Sequence, residues 1–235
     1  MALNQGVEQF MIRKFTLFLS LVLTLGFAAS ASVSAQDSPP LPEQADIEGL
    51  ESGYARMFMP DFEAMMEAAQ TPGADVSFDE DGIMMIMTSV FTFDSDDNAS
   101  NALDTFGDGM AESLSGDDNI EKNDVDDLGD KAVSYTSEAE ESGTTVHSTT
   151  ILIQDGSMVH MIMVTGGTAD EGIDTAQNIG QFMIDGEPGD EDVTLNDDGT
   201  STGGVFDLMP TADDTDLTAG LQPSTDMDFM SMGGM

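Results

Sequence analysis

The chain has 235 residues, of which 46 are Asp or Glu and only five are Lys or Arg, with no Cys and no Trp. A field of this sign excludes nucleic acid and anionic membrane as partners, because both are polyanions. The absence of Cys excludes disulfides, a cysteine nucleophile and a lipid anchor built on a cleavage-site cysteine.

The chain opens on an export pattern. Arg13 and Lys14 precede an apolar run over 15–29, and small residues lead to Val33-Ser34-Ala35 before Gln36. This is a basic region, a hydrophobic region and an A-x-A-like site, so residues 1–35 are expected to be a signal peptide cleaved after Ala35. Glu8 lies upstream of the basic pair, which favours Met11 as the start. Cleavage removes Arg13, Lys14 and Glu8, leaving Arg56, Lys122 and Lys131 against 45 carboxylates, a net charge of about −42. No later apolar run is long enough to span a bilayer. The mature chain is expected to be secreted, or extracytoplasmic, with no integral membrane segment. So acidic a surface suits high salt, divalent cations or a cationic partner.

Residues 36–46 contain Pro, Gln and Asp and read as a flexible lead-in. A short helix is expected to begin at 47–50. Residues 54–59 could be a short strand or a helix end, since periodicity does not decide. Phe62, Met65, Met66 and Ala69 share one helical face after Pro60, and Thr71-Pro72-Gly73 ends that helix. Residues 83–93 read as a long strand. The run Asp94-Ser95-Asp96-Asp97-Asn98 breaks it and can cap the next helix. Ala99, Ala102, Leu103, Phe106, Met110 and Leu114 recur at three- and four-residue steps, giving an amphipathic helix over 98–114 weakened by Gly107 and Gly109.

An acidic loop is expected at 115–122 and a strand at 132–137. Residues 144–165 form the organising element, two β-rich runs flanking Asp155-Gly156, a strong hairpin signal. With Asp155 and Gly156 as a type I′ turn, Ile151 faces His160. A three-residue loop shifts the register by one and flips one strand. The second run is apolar on both faces except at His160, so it is central and covered on both sides. Thr168-Ala169-Asp170-Glu171 is a capping box, and Ile173, Ala176, Ile179, Phe182 and Met183 make the last helix face. Asp185-Gly186 and Pro188 stop it. Residues 187–235 are rich in Asp, Thr, Ser and Gly, with apolar residues single or in short clusters. They are expected to be an acidic disordered tail.

The expected architecture is α+β. A single domain over 47–186 has a mostly antiparallel sheet around the hairpin 144–165, with helices packed largely on one face. Strand 83–93 with its helix and strand 158–165 with its helix form an internal echo. Met84, Met85, Met87, Met158, Met161 and Met163 concentrate in this domain, where thioethers fill irregular gaps or line an adaptable apolar face.

Val-Asp-Asp-Leu-Gly-Asp-Lys-Ala from Val125, then a Gly and an extended run, then Ile-Gln-Asp-Gly-Ser-Met-Val ending at Val159, carry a resemblance. This pattern resembles secreted and lipoprotein-anchored bacterial sensor-like domains, largely uncharacterised, over residues 83–184. The resemblance implies an extracytoplasmic α+β binding domain without catalytic residues. The anchor cysteine that many such proteins carry is absent here.

Few residues point to chemistry. His147 and His160 are the only histidines. With the two-residue turn they share a face but lie about four strand positions apart, roughly 13 Å, too far for a shared metal. No Gly-x-Ser-x-Gly elbow, phosphate loop or dinucleotide fingerprint occurs. Gly166-Gly167 precedes a helix N-terminus, but Asp170, Glu171 and Asp174 repel an anion there. Asp94, Asp96 and Asn98 have the opening spacing of a Ca²⁺ loop, which then fails at Ala99 and Thr105, where Gly and Glu are required. They are the metal candidates, with helix capping as the competing role.

The expected function is therefore a non-enzymatic binding or interaction protein with a protein or small-molecule partner and no obligatory cofactor. One alternative is a Ca²⁺-dependent extracellular protein binding cations through acidic loops. Another is an apolar-ligand carrier using the Met-rich sheet face.

Overall fold

The hairpin at 144–166 sits at the centre of a seven-stranded sheet. The computed structural model describes residues 47–61, 82–113, 120–141, 144–195 and 201–232. The export segment, the lead-in and the helix expected after Pro60 lie outside them. The main strands are β1 (Leu50–Met59), β2 (Ile83–Phe93), β3 (Glu121–Asp124), β4 (Lys131–Glu141), β5 (Thr144–Asp155), β6 (Met158–Gly166) and β9 (Gln222–Asp228). A separate small ladder joins β7 (Thr194–Leu195) to β8 (Ser201–Thr202). The large sheet runs β3-β4-β5-β6-β2-β1-β9, with every neighbouring pair antiparallel. Helices α1 (Asp96–Ser113) and α2 (Ala169–Asp185) complete an α+β domain.

The turn of the hairpin lies one residue later than the Asp155-Gly156 reading. Asp155 pairs with Met158 and Ile153 with His160, so the loop is Gly156 and Ser157. Gly156 alone has positive φ, 55°, the pattern of a type II′ turn with Gly at its first central position. Asp130 fixes this choice, because its Oδ2 accepts from Gly156 N at 2.9 Å.

The two long helices lie on opposite faces of the sheet. Ala176, Ile179 and Met183 of α2 pack with Ile151, Ile153, Ile162 and Val164. Ala99, Ala102 and Leu103 of α1 pack with Val133, Tyr135, Leu152 and Val159. Consecutive strand residues point to opposite faces, so the first set defines one face and the second the other. The one-face arrangement expected from the sequence fails because β5 and β6 are apolar on both sides, and each side needs a cover. Gly180 lets α2 approach Ile153 closely, and Gly107 leaves room for the Tyr135 hydroxyl beneath α1. No neighbour lies within 4 Å of a Cβ built on Gly109.

The capping signals hold in detail. Glu171 N donates to Thr168 Oγ1 at 3.3 Å, and Thr168 N donates back to Glu171 Oε2 at 2.9 Å. Asn98 N donates to Ser95 Oγ at the start of α1. Three local readings change. Residues 47–49 form a turn into β1, and β1 continues as strand to Met59. Part of the expected acidic loop is β3, an exposed charged edge that discourages further strand pairing.

The largest correction concerns the tail. Residues 201–232 are ordered on the domain. Gly204–Leu208 is a 3-10 turn that buries Val205, Phe206 and Leu208 on the α2 face. The chain then forms β9 beside β1, with Arg56 opposite Asp226. The short helix α3 (Phe229–Met232) follows, and Phe229 stacks on Phe91 of the opposite face, with centroids 5.5 Å apart. The segment thus covers part of one face, closes the β1 edge and reaches the other face. Gly53, paired with Phe91, gives that ring and Phe229 their space.

Candidate functional site

The two histidines share a face but not a site. His160 pairs with Ile153 on one side and Val90 on the other. His147 lies six positions from Ile153 along β5, about 20 Å at the usual strand rise. His147 is half-buried, with Nδ1 3.3 Å from Glu138 Oε1 but not aligned for a hydrogen bond. His160 is fully buried, and neither ring nitrogen has a partner. Burial pushes its pKa down to about 4 from 6.5, so it is neutral in the folded protein at pH 7. A neutral imidazole without substrate access or a proton partner is not placed as a general base.

Asp94, Asp96 and Asn98 stand at the α1 N-terminus. Asp94 Oδ1 accepts from Asn98 Nδ2 at 2.7 Å and from Ser95 Oγ at 3.1 Å. Asp94, Ser95 and Asn98 thus form a helix-entry network that does not include the Asp96 side chain. A second acidic group gathers at the hairpin tip. Gly156 lies between Asp130, which accepts from its N–H, and the Asp96 carboxylate. Gln154 Nε2 donates to the carbonyls of Asp96 and Gly156, tying the tip to α1. Asp155 is held above the usual carboxylate range by partial burial and by the charge of Asp130. Among the described residues, no three of His, Asp and Glu converge as a metal site requires.

Among the described residues, Arg56, Lys122 and Lys131 each have an internal partner. Arg56 Nε and Nη2 donate to the two oxygens of Asp226 at 2.8 and 2.9 Å. Its remaining donors reach Pro210 O at 3.1 Å and Ser201 O at 2.8 Å. The guanidinium also lies 5.2 Å from the Phe206 ring centroid. Arg56 therefore fastens β8, the loop after the 3-10 turn and β9 to β1. Lys131 pairs with Asp104 at 2.6 Å, and Lys122 lies over the Tyr135 ring. The remaining surface charge is overwhelmingly negative. Sequence reading missed the role of Arg56 because its partners lie 145–170 residues away.

Met57, Met85, Met87, Met161 and Met163 stand on the α1 side of the sheet. Met57 pairs with Met87, and Met87 with Met163, so three adjacent strands contribute one row. Met161 pairs with Ser89 and Met85 with Thr165 on the same face. Met85, Met87 and Met163 are buried, while Met57 and Met161 are half-buried. Met84 and Met158, part of the same expected group, fall outside this row.

No family model and no curated protein matches this chain. Among solved structures, it is similar to the extracellular domain of PknH from Mycobacterium tuberculosis, with 10% identity and a TM-score of 0.32, over 72% of this chain and 91% of that one. A likeness of this size carries no argument about fold or activity.

Proposed function

We propose that the chain is an exported, highly acidic, non-enzymatic binding protein. The export pattern at 1–35 supports a location outside the cytoplasm, and no described helix is long and apolar enough to cross a membrane. The observation that carries the reading is the placement of the titratable groups. His147 and His160 stand far apart, His160 is sealed in the core, and Arg56 and Lys131 are paired with Asp226 and Asp104. No described nucleophile, base and oxyanion donor stand together, as acyl or phosphoryl chemistry demands. With about −42 charges on the mature chain, the partner is cationic or neutral. Ester, phosphate, glycoside and peptide substrates test this reading, with the wild type compared to an H147A/H160L double variant. No turnover above buffer is expected. Turnover that disappears in the double variant would refute it.

The Ca²⁺-dependent alternative has one observation in its favour. Asp155 at the hairpin tip is held above its usual range by partial burial and by the charge of Asp130. A divalent ion would relieve that repulsion. Thermal unfolding in chelator, in millimolar Ca²⁺ and in NaCl of matched ionic strength separates the readings. A Ca²⁺ shift well beyond matched NaCl, about 2.7 kcal/mol at a hundred times the dissociation constant, supports a site. Equal shifts indicate screening of surface charge.

A further inference from the structure

The Met-lined face carries more than packing. Met57, Met87 and Met163 stand in direct register on β1, β2 and β6. Directly opposed residues hold their Cβ atoms about 5 Å apart, and an unbranched three-torsion side chain can bring its sulfur to a common point between them. Met85 and Met161 flank the row on the same face.

Two hydroxyls on this face argue against a plain apolar core. Ser89, opposite Met161, and Thr165, opposite Met85, are buried, and neither side-chain oxygen has a hydrogen-bond partner. A buried hydroxyl without a partner costs stability, where Ala or Val would not. Oxygen dipoles among thioethers suit a charged guest. Thioether sulfur is neutral, soft and polarizable, and it selects soft monovalent ions over Ca²⁺ or Mg²⁺. The strongly negative chain raises the local concentration of any cation.

We infer that Met57, Met87 and Met163 form a binding site for a soft monovalent cation, Cu(I) or Ag(I), flanked by Met85, Met161, Ser89 and Thr165. The sulfurs ligate, and the two hydroxyl dipoles face the ion from outside its ligand shell. Met57 is the half-buried member of the row and the ligand open to solvent. Thioethers do not titrate in water, so affinity is independent of pH where carboxylate or imidazole sites lose theirs to protons. This inference rests on the binding reading and names its ligand class.

The test uses the full mature chain, labelled with ¹³C at the Met methyl groups, and Ag(I) as nitrate in chloride-free buffer. One equivalent should saturate binding and move the methyl resonances of Met57, Met87 and Met163, assigned by single Met→Leu variants. M87L, close in volume, should lower affinity at least tenfold, with affinity otherwise unchanged from pH 5 to pH 8. M57L, at a half-buried position, provides the same test if M87L fails to fold. Shifts spread over many methionines without saturation, affinity that falls with acid, or equal binding by both variants would overturn the proposal. Native mass spectrometry showing a lipid on this face that Ag(I) does not displace would also overturn it. Failure here with no enzymatic turnover leaves the binding reading standing, whereas turnover overturns that reading whatever the Ag(I) result.

Discussion

His160→Leu should stabilise this protein, and more so in acid. The imidazole is fully buried between Val90 and Ile153, and both nitrogens lack partners. Each unpaired buried polar group costs roughly 1–3 kcal/mol, and leucine fills a similar volume without that cost. At pH 7.5 the variant should therefore gain about 1–3 kcal/mol. The pH dependence gives a second magnitude. The unfolded His titrates near 6.5 and the folded one near 4. Between those values the unfolded state binds more protons, so wild-type stability falls as pH drops from about 6.5 to 4. At about 1.36 kcal/mol per pH unit, the loss from this one group reaches roughly 3 kcal/mol. Neutralising the surface carboxylates also changes stability in acid, but it affects both proteins alike and cancels in their difference. Urea unfolding of both at pH 7.5, 6, 5 and 4, at fixed ionic strength, measures that difference. It should be positive at pH 7.5 and widen by roughly 3 kcal/mol by pH 4. A variant less stable at pH 7.5, with a difference flat across pH, would mean that His160 has a partner or ligand. The reasoning would then fail.

Other substitutions test separate parts of the account. Arg56→Ala leaves Asp226 buried without its cation and should cost about 3–5 kcal/mol, with limited proteolysis cutting first within 201–232. The paired change R56M/D226L should recover most of that loss, and no recovery would show that the carbonyl contacts of Arg56 dominate. Gly109→Ala should stabilise α1 by up to about 1 kcal/mol, whereas Gly107→Ala should destabilise it because its Cβ meets the Tyr135 hydroxyl. Thermal melts that rank these two variants in reverse would contradict the packing described. Asp155→Asn should raise the melting temperature at pH 7. The folded Asp155 has a raised pKa, so its penalty appears as pH rises and the variant's advantage vanishes below the unfolded carboxyl value of about 3.9. An advantage that persists at pH 3 would assign the effect to something other than charge.

Local signals were legible in the sequence, and long-range ones were not. The hairpin, strand 83–93, both long helices and the capping box follow from periodicity and cap chemistry within short windows. The turn slipped by one pair because Asp130, outside the window, holds Gly156 N. Apolar residues on both sides of β6 already implied two covered faces, and the one-sided helix arrangement conflicted with that pattern. The tail was misread because composition averaged over 187–235 hides the compact run Val205-Phe206-Asp207-Leu208-Met209. That run needs only Tyr54, Arg56 and α2 to become part of the core. The same limit hides the methionine row. Its three members lie in separate segments and meet only through strand register.

Amide hydrogen exchange of the mature chain tests most directly whether residues 201–232 belong to the folded domain, the claim on which the covered β1 edge and the Arg56 clamp depend. The β9 amides facing β1 should exchange with protection comparable to the β1 amides that face β9, and Arg56→Ala should remove protection from 201–232 before it affects β5 and β6. Exchange of 222–228 at the rate of a free peptide in the wild type would contradict it.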